Sequence, residues 1–125
     1  MRLRRMDSGD IMFEDNIIAV KSKAFAIRVI KLYRYLTEEK KEYVLSKQIE
    51  RSGTSIGANV YEALRGSSKA DFKNKMAIAL KEANETQYWL ELLYETDYLT
   101  KEQYTSINND CVELNRILVS IVKNS

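Results

Sequence analysis

The fold is decided by residues 69–95, KADFKNKMAIALKEANETQYWLELLYE, a stretch without glycine or proline. Its apolar side chains recur at helical spacing and form a main seam of Phe72, Met76, Leu80, Ala83, Leu90 and Tyr94. A parallel stripe holds Ile78, Glu82, Glu85, Trp89 and Leu92, so two carboxylates interrupt an apolar row. Because such a helix has more than one apolar stripe to bury, we expect it to contact more than one neighbour.

A second helix precedes this stretch and is predicted over Val44–Leu64. Gly66 ends it, and Ser68 with Asp71 forms a capping box that starts the next helix. The core-facing residues of this second helix are Leu45, Ile49, Ser52, Ile56, Val60 and Ala63 or Leu64. The middle of the helix, residues 52–59 (SGTSIGAN), has poor helix propensity. Its small side chains allow a neighbouring helix to approach closely, so we expect packing to compensate.

Two more helices flank this pair. The first is predicted from Glu14–Asn16 to about Glu39, with a seam of Ile18, Phe25, Val29, Leu32 and Leu36. The last begins at a capping box of Thr100 and Gln103, with a seam of Ile107, Cys111, Leu114, Leu118 and Ile121. Short polar connections join the helices. The chain is therefore predicted to be all-α: a flexible N-terminal arm over residues 1–13, then one antiparallel up-down-up-down four-helix bundle over residues 14–125.

The composition agrees with this architecture and bears on location. The 125 residues include no proline and only 4 glycines, which favours long helices over tightly turned strands. A single cysteine forms no internal disulfide and suits a reducing compartment. No apolar run approaches the length of a membrane span, and acidic residues stand where a signal peptide needs an apolar stretch. We therefore expect a cytoplasmic protein without membrane contact.

Catalytic chemistry is disfavoured by the absence of histidine. Di-iron carboxylate bundles need Glu-x-x-His motifs, and histidine is the commonest general base. Cys111 lies on an apolar seam and is interpreted as a core thiol. The glycines Gly53 and Gly57 are not preceded by a strand, and no lysine of a phosphate-binding loop follows them. We expect no enzyme activity, no cofactor and no metal.

A polar network is predicted between the second and third helices. A stripe of the second helix contains Arg51 and faces the two carboxylates of the third helix, and arginine is suited to pairing with them. Such a network is expected to fix register or assembly rather than to add stability. Its predicted members are Arg51, Asn59, Glu62, Glu82 and Glu85.

Two surfaces have open interpretations. Five basic residues of the first helix lie within an arc of about 160° and form a basic stripe. The stripe is either a solvated face or a phosphate-contacting surface. Its members are Lys21, Lys23, Arg28, Lys31 and Arg34, and Arg2, Arg4 and Arg5 near the N-terminus extend it. On the third helix, aromatic side chains are either boundary residues of the bundle or an interface with a partner; they are Tyr88, Trp89 and Tyr94.

The stretch from Leu45 to Leu99 resembles the four-helix-bundle family first associated with proteins encoded in intervening sequences of 23S ribosomal RNA, which is related to the accessory proteins of diversity-generating retroelements. The resemblance rests on Gln48, Arg51, Ser55-Ile56-Gly57-Ala58-Asn59, Glu62-Ala63, Ser67-Ser68-Lys69-Ala70-Asp71-Phe72, Ala79, Glu82, Glu85 and Tyr88-Trp89-Leu90. It implies a ring-like homopentamer and, in the retroelement branch, a basic surface that contacts nucleic acid and a reverse transcriptase. This chain departs from those basic accessory proteins, because its net charge is only +2.

Together these observations predict a non-enzymatic, oligomeric binding or scaffold protein that contacts RNA or DNA phosphates through the first helix. The alternative is a bundle that binds only protein partners through its aromatic surface.

Overall fold

The computed structural model describes residues 13–125, with side chains from residue 17 onward. Over this range the chain forms α1 (Phe13–Glu38), α2 (Leu45–Leu64), α3 (Lys69–Glu95) and α4 (Lys101–Lys123). Each helix packs on the next, and α4 returns to α1, which closes the bundle. The all-α, up-down-up-down four-helix bundle is thus confirmed. In this part of the chain, no helix has the length and apolarity needed to cross a membrane.

The helix ends agree with the sequence to within about two residues. Phe13, which the sequence placed in the N-terminal arm, is the first residue of α1. Residues 1–12, the rest of the predicted arm, lie outside the described residues, as do the side chains of Arg2, Arg4 and Arg5. The predicted capping box at Thr100 is present in full, since Thr100 and Gln103 each accept a backbone N–H from the other.

The buried row of α3 matches the predicted main seam only in part, at Met76, Ala83 and Leu90. Phe72, Leu80 and Tyr94, assigned to the main seam, are only half-buried. The fully buried residues are Met76, Ala79, Ala83, Thr86, Leu90 and Leu93. This row is displaced from the main seam towards the second predicted stripe. The reason is that α2 and α4 cover opposite flanks of α3, and the side of α3 between those two flanks faces the core. Thr86, which sequence patterning passed over as polar, is accommodated by a 2.9 Å hydrogen bond between its hydroxyl and that of Ser52.

The connection between α1 and α2 contains a buried carboxylate that the sequence analysis treated only as part of a polar linker. Glu42 is 7% exposed. Its Oε2 accepts the backbone N–H of Val44 at 3.1 Å and of Leu45 at 2.8 Å, and its Oε1 accepts that of Ser46 at 2.6 Å. Glu42 therefore satisfies the free N–H groups that every helix start leaves open, and its negative charge opposes the positive end of the α2 dipole.

Helices α1 and α2 approach each other closely at two glycines of α2. A Cβ built on Gly53 would lie 2.7 and 2.9 Å from the two methyl carbons of Val29. A Cβ on Gly57 would lie 3.3 Å from the backbone oxygen of Ser22. The small residues of α2 thus let α1 approach, as predicted, and this packing outweighs their poor helix propensity.

We expect Gly53→Ala to lower the free energy of unfolding by about 1–3 kcal/mol, because the added methyl group overlaps Val29. In a Val29→Ala background the same change should be neutral, or stabilising by up to about 1 kcal/mol, since alanine is the better helix former. Urea denaturation followed by circular dichroism measures the stability of the four proteins of this double-mutant cycle: the unsubstituted protein, the two single variants and the double variant. Equal effects of Gly53→Ala in both backgrounds would contradict the proposed close contact.

Candidate functional site

The basic stripe predicted on α1 is divided by ion pairs to α4. Lys21 Nζ lies 3.2 Å from Glu113 Oε1. Arg28 donates from Nη1 to Asp110 Oδ2 at 2.8 Å and from Nη2 to the hydroxyl of Ser106 at 3.0 Å. These two cations lie on the flank of α1 that faces α4, so their charges are balanced within the chain.

The other three cations of the stripe lie on the outward face of α1. Lys23, Lys31 and Arg34 are exposed and form no ion pair with another described residue. At 100° per residue they lie within an arc of about 80°, and the exposed aliphatic residues Val20, Ile27 and Ile30 lie on the same side, which widens the arc to about 100°. We call this surface the α1 outward face. Glu38, the last residue of α1, lies on the same face, so the face carries three cations and one carboxylate and its net charge is positive.

The residues that divide the stripe were not among those predicted from the sequence. Asp110 and Glu113 stand three residues apart on α4, a spacing that places both on one flank of a helix. That spacing was a usable signal. It did not show whether the flank faces α1, α3 or solvent.

An open cleft of about 530 Å³ lies between the second half of α1 and the start of α4. Its lining is mixed: Leu32, Leu99 and Ile107 are apolar, and Lys31 faces the same cleft as Glu102. Arg28 also lines it, but is already paired with Asp110. Lys31 is therefore the one cation of the cleft without an ion pair to a described residue, and the carboxylate of Glu102 lines the same cleft. A phosphate would be repelled by that carboxylate, so the cleft is a poor phosphate site.

The structure brings together three members of the predicted polar network. Arg51 on α2 donates to both carboxylate oxygens of Glu82, at 3.0 and 3.3 Å, and also pairs with Glu85. The hydrogen bond to Glu82 is the largest factor that raises the pKa of the Arg51 guanidinium. The Arg51 side chain is 51% exposed and that of Glu82 only 15%, so the network lies at the rim of the α2–α3 contact.

Asn59 and Glu62 do not belong to this network. The Asn59 side chain donates to the carbonyl oxygen of Ser55 at 2.8 Å, within α2. Glu62 lies two turns further along α2 than Ser55 and pairs with Lys75 at 2.9 Å, because the antiparallel α3 presents its first turns at that level. In the described part of the chain, no three carboxylate or thiol groups gather as a metal site would require.

The three aromatic residues assigned to an interface have different environments. Tyr88 is 55% exposed and meets the edge of the Trp89 ring at a centroid distance of 5.2 Å. Trp89 is half-buried, and its Nε1 is shielded from solvent without an acceptor among the described residues. Tyr94 instead stacks on Tyr104 of α4 at 4.6 Å, so its ring stabilises the α3–α4 contact within the chain.

Cys111 is confirmed as a core thiol. It is fully buried, and its Sγ lies 3.4 Å from the carbonyl oxygen of Ala83, to which it donates. Burial, with a smaller effect of the neighbouring Asp110, raises the pKa of the thiol to about 12. A thiol in this state is a weak nucleophile, because the thiolate is the reactive form.

Comparison with known proteins found a match to one protein family and similarity to a solved structure. The profile of the 23S rRNA-intervening sequence protein family matches residues 14–120. Among solved structures, the chain is similar to a crystal structure of a protein with unknown function from the S23 ribosomal protein family of Bacteroides thetaiotaomicron VPI-5482. The two are 60% identical over 89% of this chain and 99% of that chain, with a TM-score of 0.87. No functionally curated protein matches the chain.

We expect Cys111 in the folded protein at pH 8 to react with a disulfide reagent about three orders of magnitude more slowly than in urea, because far less thiolate is present at the higher pKa. The raised pKa of the Cys111 thiol also makes the free energy of unfolding depend on pH. Above about pH 8.5 the thiol ionises in the unfolded chain only, so it lowers the free energy of unfolding as the pH rises. Release of the coloured reagent anion measures the rate, and equal rates in buffer and urea would show that the thiol is accessible.

Proposed function

The chain belongs to the family of 23S rRNA-intervening sequence proteins, and from this premise we propose that it is a non-enzymatic, oligomeric scaffold that contacts the phosphates of RNA or DNA. The observation that carries this proposal is the α1 outward face. Lys23, Lys31 and Arg34 lie there exposed and form no ion pair with a described residue, and they outnumber the one carboxylate of that face, Glu38. Phosphate contacts of this kind supply most of the affinity of sequence-independent nucleic-acid binding.

The division of the stripe identifies which cations are available. Lys21 and Arg28 already have carboxylate partners on α4, and a phosphate would have to compete with them. The three outward cations form no ion pair with a described residue that a phosphate would have to displace. Nothing on this face is arranged for the bidentate contacts that read base edges, so binding is expected to follow charge and shape.

The polar groups of the bundle support a role without catalysis. The paired carboxylates Glu82 and Glu85 are engaged by Arg51. The one cysteine is buried, with a pKa that keeps it protonated. Among the described residues, no nucleophile is paired with a base in the geometry that acyl or phosphoryl transfer requires.

The α3 surface supports assembly. Its second predicted stripe is only half covered within one chain, as Ile78, Trp89 and Leu92 show. Trp89 Nε1 also lacks an acceptor among the described residues, and a buried N–H normally has one. A second copy packed on this stripe would bury its apolar surface. The family resemblance implies a ring of five, and five copies would multiply the weak contacts of each α1 outward face through avidity.

A bundle that binds only protein partners is the alternative function. It is favoured by the aliphatic residues Val20, Ile27 and Ile30, which share the α1 outward face with the cations. An acidic protein surface would suit such a mixture, whereas phosphates engage the cations alone.

We expect the protein to bind duplex DNA and structured RNA with an affinity that falls steeply with salt. Replacing Lys23, Lys31 and Arg34 by glutamine should lower the slope of log affinity against log salt by about 2.7, at about 0.9 per duplex phosphate contact. The matched control is Lys21→Gln with Arg28→Gln, which removes cations already paired within the chain and should change the slope little. Fluorescence anisotropy between about 50 and 200 mM salt measures both.

Absence of binding by the unsubstituted protein at the lower salt would contradict nucleic-acid contact and favour the protein-partner alternative. A larger effect of the Lys21 and Arg28 control would show that the ion pairs to α4 do not decide which cations are free.

For assembly, we expect light scattering to give five times the 14.5 kDa of one chain. Arg51→Met should shift the protein towards smaller species, because it leaves Glu82 and Glu85 unpaired at the rim of the proposed interface. Lys47→Met is the control, since Lys47 is exposed on the same helix without an ion pair to a described residue. A single-chain mass for the unsubstituted protein, or an Arg51→Met protein that assembles normally, would count against this role.

A further inference from the structure

A second group of basic residues in the described chain lies along the first half of α3 and the second half of α4. Residues 65–81 include five basic side chains, Arg65, Lys69, Lys73, Lys75 and Lys81, against one acidic side chain, Asp71. Residues 114–125 add Arg116 and Lys123 and contain no acidic residue. The net charge of +2 for the whole chain hides this local excess.

The cations of α3 and α4 in this group face solvent. Lys69, Lys73 and Lys81 are exposed on α3, and Arg116 and Lys123 are exposed on α4. None of the five forms an ion pair with a described residue. We call these five residues the α3–α4 basic face.

The register of the two helices places these cations side by side. Asn115 of α4 donates to Asn84 of α3, and Cys111 donates to the carbonyl oxygen of Ala83. Because the helices are antiparallel, this register sets Arg116 roughly level with Ala83 and Lys123 level with the first third of α3. From Lys69 to Lys81 the face extends over about 18 Å, at 1.5 Å per residue.

The acidic residues nearest to this face are engaged elsewhere. Asp71 accepts a hydrogen bond from the Ser67 hydroxyl at 3.4 Å and lies in the first turn of α3. Glu62 pairs with Lys75 on the flank facing α2, and Glu113 pairs with Lys21 on the flank facing α1. Asp71 keeps its negative charge in the hydrogen bond with Ser67, so the five cations of the α3–α4 basic face lie near one carboxylate that forms no ion pair with a described residue, and the net potential there is positive.

We infer that the α3–α4 basic face is a second phosphate-contacting surface, which holds the backbone of a duplex nucleic acid. This inference rests on the proposed function and adds to it the place and the form of the ligand. The face supplies up to five phosphate contacts from each chain, more than the three of the α1 outward face.

The chemistry of the face selects this ligand over other polyanions. From Lys69 to Lys81 no exposed aromatic side chain lies among the cations of α3, and the exposed Tyr88 lies two turns beyond them. Single-stranded nucleic acids are held largely by stacking on aromatic side chains. The exposed aliphatic residue between Arg116 and Lys123 is Val119, and no exposed Phe, Trp or Leu of the kind that anchors a helix in a lipid surface accompanies it. Four of the five cations are lysines, which are depleted in protein interfaces but bind duplex backbones as point charges.

The test compares two triple variants in the full chain by fluorescence anisotropy with a duplex of mixed sequence, across a salt series. One carries Lys73→Gln, Lys81→Gln and Lys123→Gln, and the other carries Lys23→Gln, Lys31→Gln and Arg34→Gln on α1. All positions are exposed on helices, so circular dichroism should show both variants folded. We expect the first variant to lower the salt slope by about 2.7 and to weaken binding at every salt concentration.

A first variant that binds with the unchanged slope, while the α1 variant binds more weakly, would overturn this inference and leave the proposed function standing. Absence of duplex binding by the unsubstituted protein would overturn both. Equal or tighter binding to a single strand of the same length, or to vesicles of anionic phospholipid, would overturn the choice of a duplex ligand.

Discussion

The contact between Val29 and Gly53 is the constraint on which the surface of this protein depends. Because residue 53 has no side chain, α1 packs against α2 through the methyl groups of Val29. Gly57 repeats the arrangement one turn on, against the backbone of Ser22. Two contacts along one line fix the rotation of α1 about its own axis, and that rotation decides where every other α1 side chain lies.

The rotation separates cations that a linear sequence presents as one stripe. With Ser22 and Val29 turned inward, Lys21 and Arg28 lie on the α4 flank and meet Glu113 and Asp110. Lys23, Lys31 and Arg34 lie on the opposite side from the core, in solvent. The same principle applies to α3 and α4, where the packed flanks carry the ion pairs and the exposed face keeps unpaired lysines. Twenty basic and eighteen acidic residues thus give a nearly neutral chain with positive surfaces.

The sequence predicted what depends on periodicity and local chemistry. The four helices, the capping box at Thr100 and the buried Cys111 follow from spacing along single helices. The pairing of Arg51 with Glu82 was predicted from the complementary charges of polar stripes on two neighbouring helices. The buried row of α3 and the partners of Lys21 and Arg28 depend on how neighbouring helices are rotated, which no single helix encodes. Glu42 was missed for a different reason: the cap of α2 is a residue outside the helix, and glutamate is less typical there than serine or aspartate.

The central claim is that the unpaired cations on the exposed helix faces are the ones that contact phosphate. Amine acetylation followed by mass spectrometry tests it at individual lysines, with and without saturating duplex RNA. The account predicts that RNA protects Lys23 and Lys31 on α1 and Lys69, Lys73 and Lys81 on α3, while Lys21 and Lys75, already paired with glutamates, react equally in both samples. Protection of Lys21 and Lys75 instead, or the same labelling of every lysine with and without RNA, would contradict it.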